Sequence, residues 1–430
     1  MTVEEDDVPV IAGGSPIKRA AWGSEQRYDD AELGELKEAL AQGTLFYAQG
    51  KKVRALEEQF AAENGVRFAI ACSSGTAAIH AAMIAAGISP GDEVIVPPIT
   101  DMGSVVPILY QGAVPVFADV DPGSYALAPE SVDAAVTART RAVLAVHLWG
   151  NACDLNALRS LCERRHLVLI EDCAQALGCV YNGKPIGTLG AAGCFSLNEF
   201  KHISCGDGGI VITDDEHQAR RLRLAVDKGY SRESGVAVRT PTFLANNYRM
   251  TELQGAVAVA QLRKLGSIVE RRRQWCEGLT AGLQEVEGIT LPQPTPGCNP
   301  SWWFYMLRVQ PDILGAAADA FGQALAAEGL PAGAHYIGQP IYEYPIFAQH
   351  SAFERGEHAY AQRTYRRGLC REAEAVLETC VILSINQAYT KTDLQDATRA
   401  IRRVARWFVR QRGARSRQVE GAEPVLDPDV

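Results

Sequence analysis

An α/β fold with a mainly parallel central sheet and a second, smaller α+β domain is what this sequence predicts, and three observations carry the prediction. From Phe68 onward, short apolar runs of strand length alternate with helical stretches, the rhythm of a parallel sheet with right-handed crossovers. One of these runs, Val168-Leu169-Ile170, ends in Glu171-Asp172, so its C-terminal end delivers carboxylates to the crevice where open α/β sheets bind ligands. The chain has 430 residues, which suits a large core and two domains.

Residues 1 to about 24 show little periodicity and read as an irregular arm. From Asp29, Ala31, Leu33, Leu36, Ala39 and Leu40 fall at helical spacing as far as Gly43, and a second helix begins near Gly50 with Val53, Leu56 and Phe60 on one face. Strands are expected at 68–71, 93–96, 115–118, 142–146, 168–170, 194–197 and 209–213, all but the last readily parallel. Helices at 104–110, 129–136, 154–165 and 216–226 fit between most of them. Another helix opens at Ser73-Ser74-Gly75-Thr76, whose N-terminus is either a phosphate seat or merely serine-capped. A polar loop follows Gly229, then one long helix over 251–283 whose Arg271-Arg272-Arg273 reads as a solvated or ion-paired face. Proline-rich 292–300 leads to a strand at 302–309, a helix at 316–328 and an amphipathic helix at 392–410. The expected organisation is an N-terminal arm (1–28), a large domain (29–265), a small domain (266–412) and a mobile polar tail (413–430).

The totals exclude several function classes. A net charge of −9 argues against nucleic acid or an anionic membrane surface as partner. No apolar run approaches a membrane span, and acids at Glu4, Glu5, Asp6 and Asp7 stand where a signal peptide would be basic and then apolar, so a cytosolic protein is expected. The eleven cysteines include no Cys-x-x-Cys, so neither a disulfide framework nor a zinc site is expected. Cys173, Cys194 and Cys205 read as small apolar fillers.

Chemistry concentrates between 168 and 213. Lys201 follows the apolar run at 194–197 and precedes Gly206-Asp207-Gly208-Gly209, and a lysine so held can attack a carbonyl. The whole pattern, Glu171-Asp172-Cys173-Ala174-Gln175, then Gly187, Gly190 and Gly193-Cys194-Phe195-Ser196, then Lys201 and the glycines, resembles the pyridoxal phosphate signature of the DegT/StrS sugar and aminocyclitol aminotransferases. The resemblance runs from about residue 50 to about 409.

It implies the fold-type-I aminotransferase architecture, with a seven-stranded sheet in the large domain. It implies that Lys201 forms the Schiff base with pyridoxal 5′-phosphate, that Asp172 pairs with the pyridine nitrogen, and that Gln175 meets the ring hydroxyl. Gly75, Thr76 and Ser196 match phosphate contacts. Asn247, in Asn246-Asn247-Tyr248-Arg249-Met250, matches an asparagine reaching the phosphate of the other subunit, which implies a homodimer with shared sites. The implied reaction moves an amino group from glutamate or glutamine to a ketone on a sugar (nucleotide-linked or phosphorylated) or a cyclitol, as in antibiotic or surface-glycan assembly.

Two departures stand out. Asp101 and Met102 occupy the place where many relatives stack an aromatic residue on the ring, which leaves Met102 as a soft lid. Ala191 stands where relatives often carry Asp. His202 invites comparison with dehydratases of the same fold that replace the lysine with histidine, but the register keeps Lys201 in place. His147, His335 and Tyr342 are candidates either for the acceptor pocket or for exposed or core-satisfied roles. The alternatives to this reading are a deoxysugar dehydratase, a transaminase for a non-sugar ketone, and a sensor or partner subunit that binds the cofactor without turnover.

Overall fold

The structure is a computed structural model, and it describes residues 8–232, 239–355 and 358–420. Seven strands form the main sheet: β1 (Phe68–Cys72), β2 (Glu93–Val96), β3 (Val114–Phe117), β4 (Thr140–Val146), β5 (Val168–Asp172), β6 (Ala192–Ser196) and β7 (Gly209–Thr213). Their order is β1-β7-β6-β5-β4-β2-β3. Only β7 runs against the rest, paired antiparallel to both β1 and β6, as expected of the last strand. A parallel sheet must be covered on both faces, and here alternate residues serve different cores. Ile70 and Ile170 pack into one cluster while Ala69 and Leu169 pack into the other.

The helices begin where the sequence supplies caps. Helix α1 (Asp30–Ala41) starts with a capping box between Asp29 and Glu32, and α2 (Lys52–Asn64) ends at Gly65 in the left-handed conformation. Helix α3 (Gly75–Ala85) follows β1 with Ser74 as its cap, and α4 (Met102–Tyr110) follows β2 with Asp101 as its cap. The crossovers after β3 and β4 carry α5 (Pro129–Ala135) and α6 (Leu155–Arg165), and α7 (Glu216–Val226) follows β7. The long helix expected over 251–283 is two helices, α8 (Glu252–Leu262) and α9 (Leu265–Leu283). The break falls at Arg263 and Lys264, where Lys264 bridges Asp29 and Glu32. Apolar periodicity runs through that junction and could not reveal it.

A second sheet, wholly antiparallel, comprises β8 (Ile289–Thr290), β9 (Phe304–Val309), β10 (Ala332–Ala334) and β11 (Cys380–Ser384) in the order β8-β9-β11-β10. Helices at Ala318–Ala327, Arg371–Thr379 and Lys391–Glu420 accompany it. The sequence reading missed β8, β11 and the helix at Arg371–Thr379. The last helix does not stop near residue 410: it passes Gly413 and runs to Glu420, so the tail expected from 413 begins as helix, and 421–430 lie outside the described residues. Part of the loop expected after Gly229, 233–238, also lies outside them.

The described part of the arm is irregular but anchored. Glu328 accepts the Val10 and Ile17 amides and pairs with Arg403, and Lys18 pairs with Asp393 at 2.5 Å. No helix among the described residues is long and apolar enough to cross a membrane. All eleven cysteines are free and nine are buried; Cys173 and Cys194 are among these, which agrees with a filling role, whereas Cys205 is only half-buried.

Candidate active site

The carboxyl ends of β5 and β6 lie side by side, with Asp172 in register with Cys194, so Asp172 and Ser196 reach the same edge of the sheet. Asp172 is buried. Its Oδ2 accepts from Ser104 Oγ at 2.6 Å and its Oδ1 from the Ala174 amide at 3.0 Å. Because the Ser104 hydroxyl spends its hydrogen on the carboxylate, the Thr100 hydroxyl, 2.6 Å away, donates to Ser104. Burial pushes the Asp172 carboxyl above its ordinary value, while the Ser104 and Ala174 bonds and the Lys201 charge pull it back. The result is an oriented carboxylate with lone pairs left to meet a cationic partner.

Helix α3 supplies an anion seat on the same edge. Ser74 Oγ takes the Ala77 amide at 3.1 Å, and as first-turn residues Gly75 and Thr76 have N–H groups with no acceptor inside the helix. Gly75 is required by packing, since a Cβ there would lie 2.7 Å from Ser196 Cβ. That close approach sets the Ser196 hydroxyl beside the helix start. The Thr76 hydroxyl stands over Gly103, where a Cβ would lie 2.7 Å from Thr76 Oγ1.

Lys201 Nζ lies 4.0 Å from the centre of the Trp303 ring. Burial lowers its pKa, while the charges of Asp172 and Asp101 favour the ammonium. The lysine and Asp172 are thus close enough to feel each other. Gln175, also buried, accepts the Trp149 amide at 3.2 Å and donates through Nε2 to Tyr336 Oη at 3.1 Å, which fixes its amide orientation.

The structure therefore brings together Gly75, Thr76, Asp172, Gln175, Ser196 and Lys201. Asn247 is not among them in this chain. It is exposed, and its backbone is bridged to Asp227. Met102 is half-buried against the core, whereas Asp101 caps α4 through the Gly103 amide at 2.7 Å, with its charge reaching both Lys201 and Tyr336. At Ala191, backbone bonds to Leu169 and to the Thr213 hydroxyl tie the chain down without an acid.

Of the histidines and the tyrosine left open, His147 and Tyr342 take core roles, while His335 is half-exposed. His147 is fully buried; its Nδ1 accepts the Cys153 amide, so its proton sits on Nε2 and is donated to Glu171 at 3.0 Å. Glu171 also accepts the amides of Gly187, Leu189 and Gly190, and with its oxygens so committed this buried cluster is a structural clamp, not a metal site. His335 bonds Leu377 O and Asp319, and Tyr342 donates to Glu374. His202 turns from the site to donate to Ser301 O, and burial holds it neutral. Sequence reasoning missed Ser104, Trp303 and Tyr336, none of which lies in the motif that carried the resemblance.

A buried carboxylate, a helix N-terminus with hydroxyls and a desolvated amine suit, in turn, a protonated ring nitrogen, a phosphate and an aldehyde. Comparison with known proteins agrees with that donor set. Residues 26–401 match the DegT/DnrJ/EryC1/StrS aminotransferase family. DesV from S. venezuelae is 32% identical with a TM-score of 0.76, over 88% of this chain and 94% of that one. 3-Amino-5-hydroxybenzoic acid synthase is 29% identical with a TM-score of 0.78, over 91% and 99%. The E. coli GDP-4-keto-6-deoxy-D-mannose-3-dehydratase with bound hydrated pyridoxal phosphate shares the fold, at 23% identity and a TM-score of 0.78 over 89% and 99%.

Proposed function

From the premise that this chain belongs to the DegT/DnrJ/EryC1/StrS aminotransferase family, we propose that it transfers an amino group from glutamate or glutamine to a ketone on a sugar or cyclitol. The enzyme is an aminotransferase and its cofactor is pyridoxal 5′-phosphate. The carrying observation is the buried Asp172 carboxylate at the same sheet edge as Ser196, which packs against Gly75 at the start of α3, with the Lys201 amine within the field of that carboxylate.

In this reading Gly75, Thr76 and Ser196 hold the phosphate, Gln175 meets the ring hydroxyl, and Asp172 keeps a proton on the ring nitrogen. When bound, the cofactor supplies an aldehyde to take the amino group and a ring to accept electrons from the substrate carbon. With the cofactor held there, Lys201 would anchor its aldehyde, and once an amino donor had freed Nζ, that amine would serve as the base for the donor's α-proton. A lysine whose pKa burial has lowered suits this work, because it must be neutral to accept the proton. Ser104 keeps the Asp172 carboxylate oriented throughout. Fixing the phosphate at a helix N-terminus lets Lys201 reach its target without a search, which is the entropic part of the catalysis.

The active unit is a homodimer in this reading, with Asn247 of each subunit serving the other's phosphate. Its exposure in the single chain, together with that of nearby Leu244, supports the assignment.

The test is the absorbance of purified protein before and after L-glutamate or L-glutamine, with Lys201→Ala alongside. A cofactor band that the donor bleaches in the wild type, and that loses its lysine-bound form in the variant, supports transamination. No band after pyridoxal phosphate is supplied would refute the site assignment, and a band that no donor shifts would favour dehydration or sensing.

A further inference from the structure

Trp303 precedes β9 and so approaches Lys201 from the second sheet. Its ring is held through the indole nitrogen and its main chain through two further bonds. The indole Nε1 donates to Phe200 O at 2.8 Å, the main-chain N–H donates to Trp149 O at 3.0 Å, and the main-chain carbonyl accepts from Arg272 Nη1 at 3.1 Å. The neighbouring turn allows this because Gly150 adopts a positive φ, and a Cβ there would lie 2.3 Å from Trp302 N. The face presented to the Lys201 ammonium is thus built in advance, at 4.0 Å.

We infer that Trp303 is a positioning residue for Lys201: its ring face is where Nζ rests when it carries a proton and is not joined to the cofactor. The inference rests on the reading of Lys201 as the lysine that holds the cofactor. A cation over an indole face is attracted by the ring quadrupole, most strongly where water is excluded. The other charges facing this amine are the carboxylates of Asp172 and Asp101, which favour the ammonium. Arg27 bonds the Lys201 carbonyl at 2.7 Å, and the adjoining His202 is neutral. Burial favours the free amine, so the ring and the two carboxylates together decide how much ammonium survives. The ring also gives the amine a defined direction.

The experiment uses the full chain freed of cofactor, as wild type, Trp303→Leu and Trp303→Phe. Each is mixed with pyridoxal phosphate across a pH series, trapped with borohydride, and the labelled lysine is located by peptide mass spectrometry. Capture needs the neutral amine, so removing the ring should let capture persist to lower pH. In Trp303→Leu the midpoint of capture at Lys201 should fall by about 0.4–1.5 pH units, and in Trp303→Phe by a smaller amount in the same direction. A ring that only supports the fold would lower thermal stability and leave these midpoints alone. Unchanged midpoints in folded variants overturn the positioning role while the lysine assignment stands. Label absent from Lys201 in the wild type overturns that assignment itself. If Trp303→Leu does not fold, the direction of the Trp303→Phe shift decides.

Discussion

Ser104 Oγ donates to Asp172 Oδ2 at 2.6 Å, and Thr100 Oγ1 stands 2.6 Å behind it, so a two-hydroxyl chain running from the start of α4 orients the carboxylate at the end of β5. A hydrogen bond to a charged group contributes about 1.5–3 kcal/mol. Ser104→Ala should therefore weaken cofactor binding by about 10–100-fold, and Thr100→Val by less, as read by titrating cofactor-free protein with pyridoxal phosphate. Equal affinities in all three proteins would show that Asp172 needs no such support.

Gly75→Ala puts a methyl group 2.7 Å from Ser196 Cβ, and the contact lies between helix start and strand, where neither side yields readily. Overpacking of this kind costs about 1–3 kcal/mol. The melting temperature should fall, and cofactor should be lost on dilution, because the added group forces the Ser196 hydroxyl away from the helix N-terminus. A variant that kept both wild-type stability and cofactor would contradict this geometry.

Glu171 gives a pH dependence with a definite sign. Burial raises its carboxyl pKa, but the hydrogen bond from His147 and the amides of Gly187 and Gly190 outweigh it, leaving the folded value below the ordinary 4.5. A depressed carboxyl adds stability that is present above pH 4.5 and is lost as the pH falls through the folded value. Denaturant unfolding at a series of pH values should show that loss in the wild type. Glu171→Gln should be less stable near neutrality and flatter in acid; an identical acid slope would remove Glu171 from the account.

Shared sites can be tested by mixing. Lys201→Ala and Asn247→Ala, each inactive or weak alone, should recover activity when unfolded together and refolded, because each heterodimer then has one site with both native residues. If Asn247 served its own chain, every site in the heterodimer would carry one lesion. Activity would then not rise above that of the separate variants.

The positions of β5, β6 and β7 were legible because buried strands are short apolar runs and their neighbours carry caps and glycines. Asp172, Gln175, Ser196 and Lys201 were legible because they lie within thirty residues of one another in a patterned stretch. The break between α8 and α9 was not, since Leu262 and Leu265 are both buried and apolar periodicity continues across it. Nor was the stop of the last helix: polar residues after Gly413 resemble a tail whether or not the backbone remains helical.

His147 shows why residue type alone leaves roles open. A histidine just beyond a strand suits a pocket as well as a core, and only the Cys153 amide on Nδ1 and Glu171 on Nε2 decide for the core. Ser104, Trp303 and Tyr336 lie far in sequence from their partners Asp172, Lys201 and Gln175. No local spacing records those contacts.

The sequence by itself determined the alternation of strand and helix, the single antiparallel strand of the main sheet, and the side chains at the ends of β5 and β6, because these follow from local periodicity and from motifs read within one stretch. The tertiary structure alone decided which hydroxyl orients Asp172, which ring faces Lys201 and which histidines are spent on the core. Those choices depend on distances between segments up to a hundred residues or more apart, which sheet order and packing of the second sheet set and no short window of sequence contains.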